Sequence, residues 1–383
     1  RSLVYDKTFH RTDEIASLGW KTTLKLGSGW TTAADLGYSR ADRDERYIVL
    51  IIGGQIRVFD EATGVEKTVT APYGWGYLTG GTRGDYRAVT VADYTFIVNT
   101  KKVVTTRSDV SPSRPFEALY YVNSGNYSKT YSIIRDSVIR ATFTTPDSSD
   151  VSHEGYVDTT YIAQQLFSVL AVNGDQAKGR YHSTIYFRDE VNDFTTAIQD
   201  GFGGRAFKAI KTPLQKFSDL PIDGPDGFVT EIAGSDTTGF DNYWVSLKQG
   251  VWKETIAPNT RLGFDKTTMP HTLVRNSDGT FTFKPIDWND RTVGNVEKVP
   301  DPSFVGKRIQ DVFFYRNRLG FLTEENSVFS EAGRFFNFYR TTLTTALDTD
   351  PVDIAASHTK VSLLHHAVPL RDNLLVFSSQ TQF

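Results

Sequence analysis

With 383 residues, the chain is long enough for two or three domains and a sizeable core. Its formal charge of −3 excludes a protein built to grip nucleic acid, because neutralising phosphates needs clustered Lys and Arg, and the lack of cysteine excludes disulfides and thiolate metal sites. No apolar run approaches the roughly 20 residues a membrane helix needs and no signal peptide is visible, so stable membrane insertion is not expected.

The aromatic and glycine content favours strands with many turns. Residues 1–46 are polar and Gly-rich, with isolated Trp20, Trp30 and Tyr38, and read as short strands and loops. Tyr47 to Ile52 is a solid apolar strand, Gly53-Gly54 a two-residue turn, and Ile56, Val58 and Phe59 alternate back; after Asp60 to Gly64, Val65 to Val69 adds a third strand of one meander. Gly74 to Asp85 is a glycine-rich connection. Its Arg83-Gly84-Asp85 reads as a turn before the strand at Ala88 rather than as an integrin ligand.

At Ser111 to Pro115 the string SPSRP is incompatible with a strand and marks a domain boundary. Beyond it come strands at Ala118 to Val122, Tyr131 to Ile134 and Val138 to Phe143. Asp158, Thr159 and Thr160 then offer N-cap chemistry ahead of Ile162, Leu166, Val169 and Leu170, which fall at helical spacing. Strands at His182 to Phe187 and Arg205 to Ile210 complete a small α+β module. Leu220 to Gly227, rich in Pro, Gly and Asp, marks the return to strands, including a hairpin from Met269 to Trp288 with Asp278-Gly279 at its tip.

Val305 to Tyr339 organises the rest. Val312 to Tyr315, a polar break at Arg316 to Arg318, and Leu319 to Leu322 spell strand, turn, strand. The same order occurs where Val89 and Val91 lead through Asp93 and Tyr94 to Phe96, Ile97 and Val98, and again where Ala367, Val368 and Leu370 lead through Arg371, Asp372 and Asn373 to Leu374 to Phe377. A hairpin recurring at such intervals marks propellers and related arrays, with a β-sandwich as the plainer alternative. The expected fold is mainly β: a partial β-propeller-like repeat of antiparallel hairpins with an inserted α+β module. Residues 1–110 carry the first propeller-like strands, 111–219 the module and 220–383 further propeller-like strands. The chain begins at Arg1 without Met and stops at Phe383 just after a strand, and so reads as a fragment of something longer.

Candidate chemistry is sparse. Asp348, Asp350 and Asp353 in DTDPVD are oxygen ligands of the kind Ca²⁺ and Mg²⁺ prefer, but the spacing lacks the glycine and distal glutamate of a calcium loop, and a solvated turn fits better. His365-His366 point to opposite faces of a strand with no third ligand nearby. Gly27-Ser28-Gly29 and Gly201 to Gly204 complete no phosphate-binding fingerprint, and no nucleophile elbow, P-loop or zinc-protease helix occurs. No catalytic residue, cofactor or metal is assigned, and no interface residue is singled out.

Several strings together resemble one family, the tail tubular protein B or nozzle family of short-tailed podophages of the autographivirus type. They are IRVFD at Ile56 to Asp60, VTVADYTFIVN at Val89 to Asn99, MPHTLVR at Met269 to Arg275, DVFFYRNRLGFL at Asp311 to Leu322, FFNFY at Phe335 to Tyr339, DPVDIA at Asp350 to Ala355, and AVPLRDNLLVFSSQTQF at Ala367 to Phe383. The resemblance implies a non-enzymatic virion protein, assembled in the host cytoplasm. It would form a six-fold tube below an adaptor ring, help hold the tail fibres and conduct double-stranded DNA without tight binding. It also implies a propeller-like body with an inserted, platform-type module that contacts the adaptor or neighbouring subunits, and a longer C-terminal half than this chain has. Residues before Tyr47 match the family poorly. The alternative is a carbohydrate-binding or carbohydrate-acting β-propeller touching the host envelope, with Trp75, Tyr77 and Trp252 stacking on sugars.

Overall fold

A computed structural model describes residues 34–35, 38–39, 46–91, 93–172, 177–211, 213–234, 242–356 and 363–378. Trp20, Trp30, Gly27-Ser28-Gly29 and the end of the closing string lie outside these residues. The fold is mainly β, built from several sheets.

Strand Arg46–Ile52 turns through Gly53 and Gly54, at φ +58° and +75°, into Gln55–Asp60, with Ile52 opposite Gln55. Both turn residues have positive φ, which glycine adopts without steric cost. Val65 to Val69 is not one strand. Glu66–Lys67 pairs with Gln55–Asp60, whereas Val69–Thr70 pairs in parallel with Phe281–Pro285 of a second sheet. The Thr68 carbonyl, between the two short strands, accepts the Phe281 N–H, so the chain changes sheets there.

That second sheet has the order 69–70, 281–285, 271–275, 94–99, 86–91. Strand Tyr94–Asn99 lies antiparallel to His271–Arg275, with Leu273 opposite Thr95, so hairpins far apart in the chain share one sheet. Alternation then uses both faces of Tyr94–Asn99. Ile97 packs with Val49, Ile51, Ile56 and Val58 of the first sheet, while Phe96 and Val98 pack with Val312, Leu319, Phe321 and Val328 of a third.

The third sheet is an antiparallel meander of Asp311–Tyr315, Arg318–Thr323, Asn326–Phe329 and Val352–Ala355. Arg316 and Asn317, at φ +46° and +58°, form its first two-residue turn. Gly320 lies opposite Phe313, and a Cβ there would lie 2.3 Å from the Phe313 ring, so the glycine lets an aromatic cross the strand. On the sheet's other face Phe313 and Leu322 pack with Leu364 and Val376 of a last hairpin, Leu364–Leu370 with Asn373–Ser378. First sheet, second sheet, third sheet and hairpin therefore stack face to face. The three hairpins expected from the recurring strings all form. The described strands do not close into a barrel or a propeller ring.

Between the second sheet's strands the chain leaves for a separate unit. One of its sheets orders 177–181, 184–189, 116–122, 207–210 and another orders 138–144, 130–135, 196–199. Helix Thr159–Val172 buries Ile162, Ala163, Leu166 and Leu170 against them. Asp158 caps the helix, accepting from the Thr160 and Tyr161 N–H groups at 2.8 and 3.0 Å. The connection through Ser124 to Asn126, ahead of a turn at Tyr127 and Ser128, needs its glycine, because a Cβ on Gly125 would lie 1.6 Å from the Val157 carbonyl oxygen. A small sheet, Val229–Ile232, Tyr243–Lys248 and Val251–Thr255, joins this unit where Phe228 packs on Leu119 and Ile210.

Candidate functional site

Two constellations hold groups that ordinary strand packing does not require. One is the DTDPVD turn, the other the stalk on which the separate unit is carried.

In the turn, the backbone carbonyls do the organising. The Arg318 guanidinium donates to the carbonyls of Ser330, Asp348 and Asp350, each at 2.7 Å, and of Thr349 at 3.3 Å. The carboxylates have separate partners. Asp350 accepts from Arg340 Nε at 3.2 Å and the Leu347 N–H at 3.1 Å, while Asp353 accepts from the Ser303 N–H at 2.7 Å and Asn326 Nδ2 at 2.9 Å. Among the described residues no three acidic or imidazole groups converge as a metal site would require. A guanidinium sits where the sequence suggested a cation, and the polar break Arg316 to Arg318 was its only signal.

His366 lies with Nδ1 3.9 Å from Asp311 Oδ2. Burial pushes the Asp311 carboxyl up to about 6, against the opposing pull of the Ala367 and Val312 N–H groups at 2.9 and 3.0 Å. Arg83-Gly84-Asp85 forms a tight turn in which Asp85 accepts from the N–H and hydroxyl of Thr82. The Gly201 to Gly204 loop wraps the Asp200 carboxylate, which accepts from the N–H groups of Phe202, Gly204, Ala206 and Phe207 at 2.8 to 3.1 Å. The aromatics considered for sugars pack internally. Trp75 stacks on Phe283, Tyr77 on His271, and Trp252 packs on Phe228 while donating to the Pro221 carbonyl at 2.7 Å.

The stalk consists of residues 105–111 running antiparallel to 259–265. Its rungs are Asp265 N–H to Thr105 O, Arg107 N–H to Gly263 O and Ser111 N–H to Thr260 O, at 2.8 to 2.9 Å. Ser111 is buried, and its hydroxyl donates to the Ala257 carbonyl at 2.6 Å and accepts from the Thr260 N–H at 2.9 Å. The first residue of SPSRP thus staples the two crossing strands.

Side-chain contacts tie the stalk and the adjoining strand Val251–Thr255 to the body. Arg107 pairs with Asp290 at 2.7 Å. Glu254, on the last strand before the return, accepts from Thr342 Oγ1, the Leu343 N–H and Thr344 Oγ1 at 2.6, 2.8 and 2.5 Å. Burial raises the Glu254 carboxyl and these donors more than offset it, so it lies below its ordinary value. Beneath the stalk, fully buried Arg291 donates to Asp301 at 2.8 Å, to the Val299 carbonyl at 2.9 Å and to the Arg261 carbonyl, and lies 4.6 Å from the Tyr339 ring. Tyr339 also donates to Asp301, at 2.9 Å; burial and the Asp301 charge push its phenol well above the usual range. Sequence reasoning missed Ser111, Glu254 and Arg291. Their partners lie tens of residues away or are backbone atoms, which no local pattern reports.

This arrangement can fix a unit in place on a rigid body. The profile of the bacteriophage nozzle protein family matches residues 17–383. The chain is also 36% identical over 355 residues to the tail tubular protein gp12 of Escherichia phage T7, an alignment covering 89% of this chain and 44% of that protein. The chain thus spans less than half the length of that relative.

Proposed function

The chain belongs to the bacteriophage nozzle protein family, and on that footing we propose that it is a non-enzymatic building block of a short phage tail. Six copies form a tube below the adaptor ring, help hold the tail fibres and conduct double-stranded DNA during ejection, within a virion assembled in the host cytoplasm. The carrying observation is the face-to-face stack of sheets with one unit held out on a pinned stalk. A wall that genome passage must not deform calls for close-packed layers, and a partner contact calls for a unit whose surface is free of the wall's packing. The stack supports reading the body as part of a propeller, with the hairpin of Leu364–Leu370 and Asn373–Ser378 as the beginning of a further blade. A low net charge suits the conduit, since each phosphate contact adds affinity that ejection must overcome.

The unit on the stalk is the contact for the adaptor or for neighbouring subunits. The test joins residue 111 to 257 through a short Gly-Ser link in the full-length protein, and follows particle assembly by mass photometry with and without the adaptor ring. Loss of the ring with a still-folded body is expected. Tails that assemble and carry fibres without residues 112–256 would overturn the role given to the unit.

A further inference from the structure

Glu254 lies on the strand that leads from the unit into the stalk, and its carboxylate is filled by neutral donors from a single loop of the body: Thr342 Oγ1, the Leu343 N–H and Thr344 Oγ1. That loop has neither helix nor strand from 341 to 349. Its far end is held by Arg318, through the carbonyls of Asp348, Thr349 and Asp350. The loop is thus a strap between the root of the unit and the third sheet.

The other ties of this region fall on one segment of the body, 290–294. Asp290 pairs with Arg107, and the Arg291 N–H donates to the Leu262 carbonyl at 2.8 Å. Gly294 donates to the Thr255 carbonyl at 3.2 Å and accepts from the Ala257 N–H at 2.8 Å. A two-stranded ribbon bonded along one line resists being lifted from it but not rolling about it. Glu254 bonds a second segment, 342–344, which lies against the first: a Cβ on Gly294 would come within 2.8 Å of Leu343 Cδ1.

We propose that Glu254 is the positioning residue of the unit: closed on the loop at 342–344 it fixes the direction in which the unit projects, and opened it lets the unit roll about the stalk with both regions still folded. The inference rests on the reading of the unit as the partner contact and adds what aims it. Preorganisation is the gain, since a unit already aimed loses no such freedom when it docks. A carboxylate suits a catch of this kind. Its bonds to hydroxyls and N–H groups are charge-assisted, yet opening them releases only polar groups to water.

The test puts spin labels on Val172→Cys in the unit, at a position 86% exposed, and on Ser277→Cys at an exposed turn of the body, in a chain with no cysteine of its own. Electron–electron double resonance on the separated subunit should give one narrow distance distribution when Glu254 is intact. Glu254→Ala removes all three bonds and should broaden the distribution or add a second distance. Thr342→Val with Thr344→Val takes two donors from the body's side without touching the unit, and should do the same more weakly, since each bond lost to a charged acceptor lowers the closed-to-open ratio about tenfold. The melting transitions of unit and body should stay where they were, whereas a merely structural role would lower one of them and keep the distance. Distributions that stay narrow in both variants overturn the catch, and so does broadening that comes only with a lowered transition. In the full-length protein, assembly on the adaptor ring, followed by mass photometry, should weaken about tenfold in Glu254→Ala, the loss expected for one such bond. Broadening with assembly unchanged keeps the catch and removes the partner role given to the unit, so the two readings fail separately.

Discussion

The stacked body and the stalk-borne unit solve the same burial problem over different distances along the chain. In the body's main core Phe96, Phe264, Trp288, Phe304, Phe321, Phe338 and Tyr339 meet from strands and loops spread over more than half the chain. Phe304 packs edge-on to Phe321 and Phe338, whose own rings stack at 5.2 Å. The unit's core also mixes rings with aliphatic side chains, but Tyr120, Tyr131, Ile133, Ile162, Leu166, Leu170, Ile185 and Phe207 come from one continuous stretch that includes a single helix. Long-range packing makes the body one cooperative structure, whereas local contacts let the unit fold by itself. Two separate unfolding transitions should therefore be resolved by calorimetry, and directed substitutions should move them independently.

The largest effect is expected at Arg291. Its side chain is completely buried beneath the stalk, paired with Asp301 and bonded to two carbonyls. Arg291→Leu removes every donor and leaves Asp301 without its cation, which costs about 3–5 kcal/mol. The body transition should fall steeply while the unit's transition stays where it was. A shift of both would mean that the two regions unfold as one.

Acid should act on the body through two groups of opposite sign. His271 stacks between Tyr77 and Phe283 and donates from Nδ1 to the Met269 carbonyl; burial lowers its pKa from 6.5 to about 4. The folded state then binds fewer protons than the unfolded between those values, so this stability is complete above pH 6.5 and is lost as pH falls towards 4. Asp311, raised from 3.8 to about 6, has the reverse slope: its penalty is absent below pH 3.8 and grows as pH rises towards 6. At about 1.4 kcal/mol per unit each amounts to roughly 3 kcal/mol, and from pH 4 to 6 they nearly cancel. Denaturant melts should give His271→Phe a body that loses stability as pH rises through this window, and Asp311→Asn one that loses stability as pH falls. Parallel slopes in the two variants would refute the cancellation.

Leu166 occupies the centre of the unit's core and is fully buried against the sheets. Leu166→Ala should lower the unit's stability by about 2–4 kcal/mol through lost burial and a residual cavity. It should leave the body transition unmoved, the mirror image of Arg291→Leu.

The two regions also differed in how far their sequences could be read. Periodicity placed the helix, and turn chemistry placed the hairpins at Gly53-Gly54, Arg316-Asn317 and Arg371-Asp372, because those signals lie within a few residues. The change of sheet at Thr68 was invisible, since the partner that captures Val69–Thr70 is more than 200 residues away. The DTDPVD carboxylates drew attention as metal ligands, yet it is the carbonyls of that turn that are gathered, by Arg318. A sequence pattern names side chains and cannot show which backbone oxygens they will find. The staple at Ser111 stayed hidden for the same reason.

The smallest effect is the helix cap. Asp158 satisfies two N–H groups at the start of Thr159–Val172 and places a negative charge at the helix's positive end. Asp158→Ala should cost the unit about 1 kcal/mol, and Asp158→Asn about half of that, since the amide oxygen still accepts but carries no charge. The melting temperature of the unit should therefore fall further for Ala than for Asn, and equal falls in the two variants would mean that the charge alone, and not the two hydrogen bonds, makes the cap.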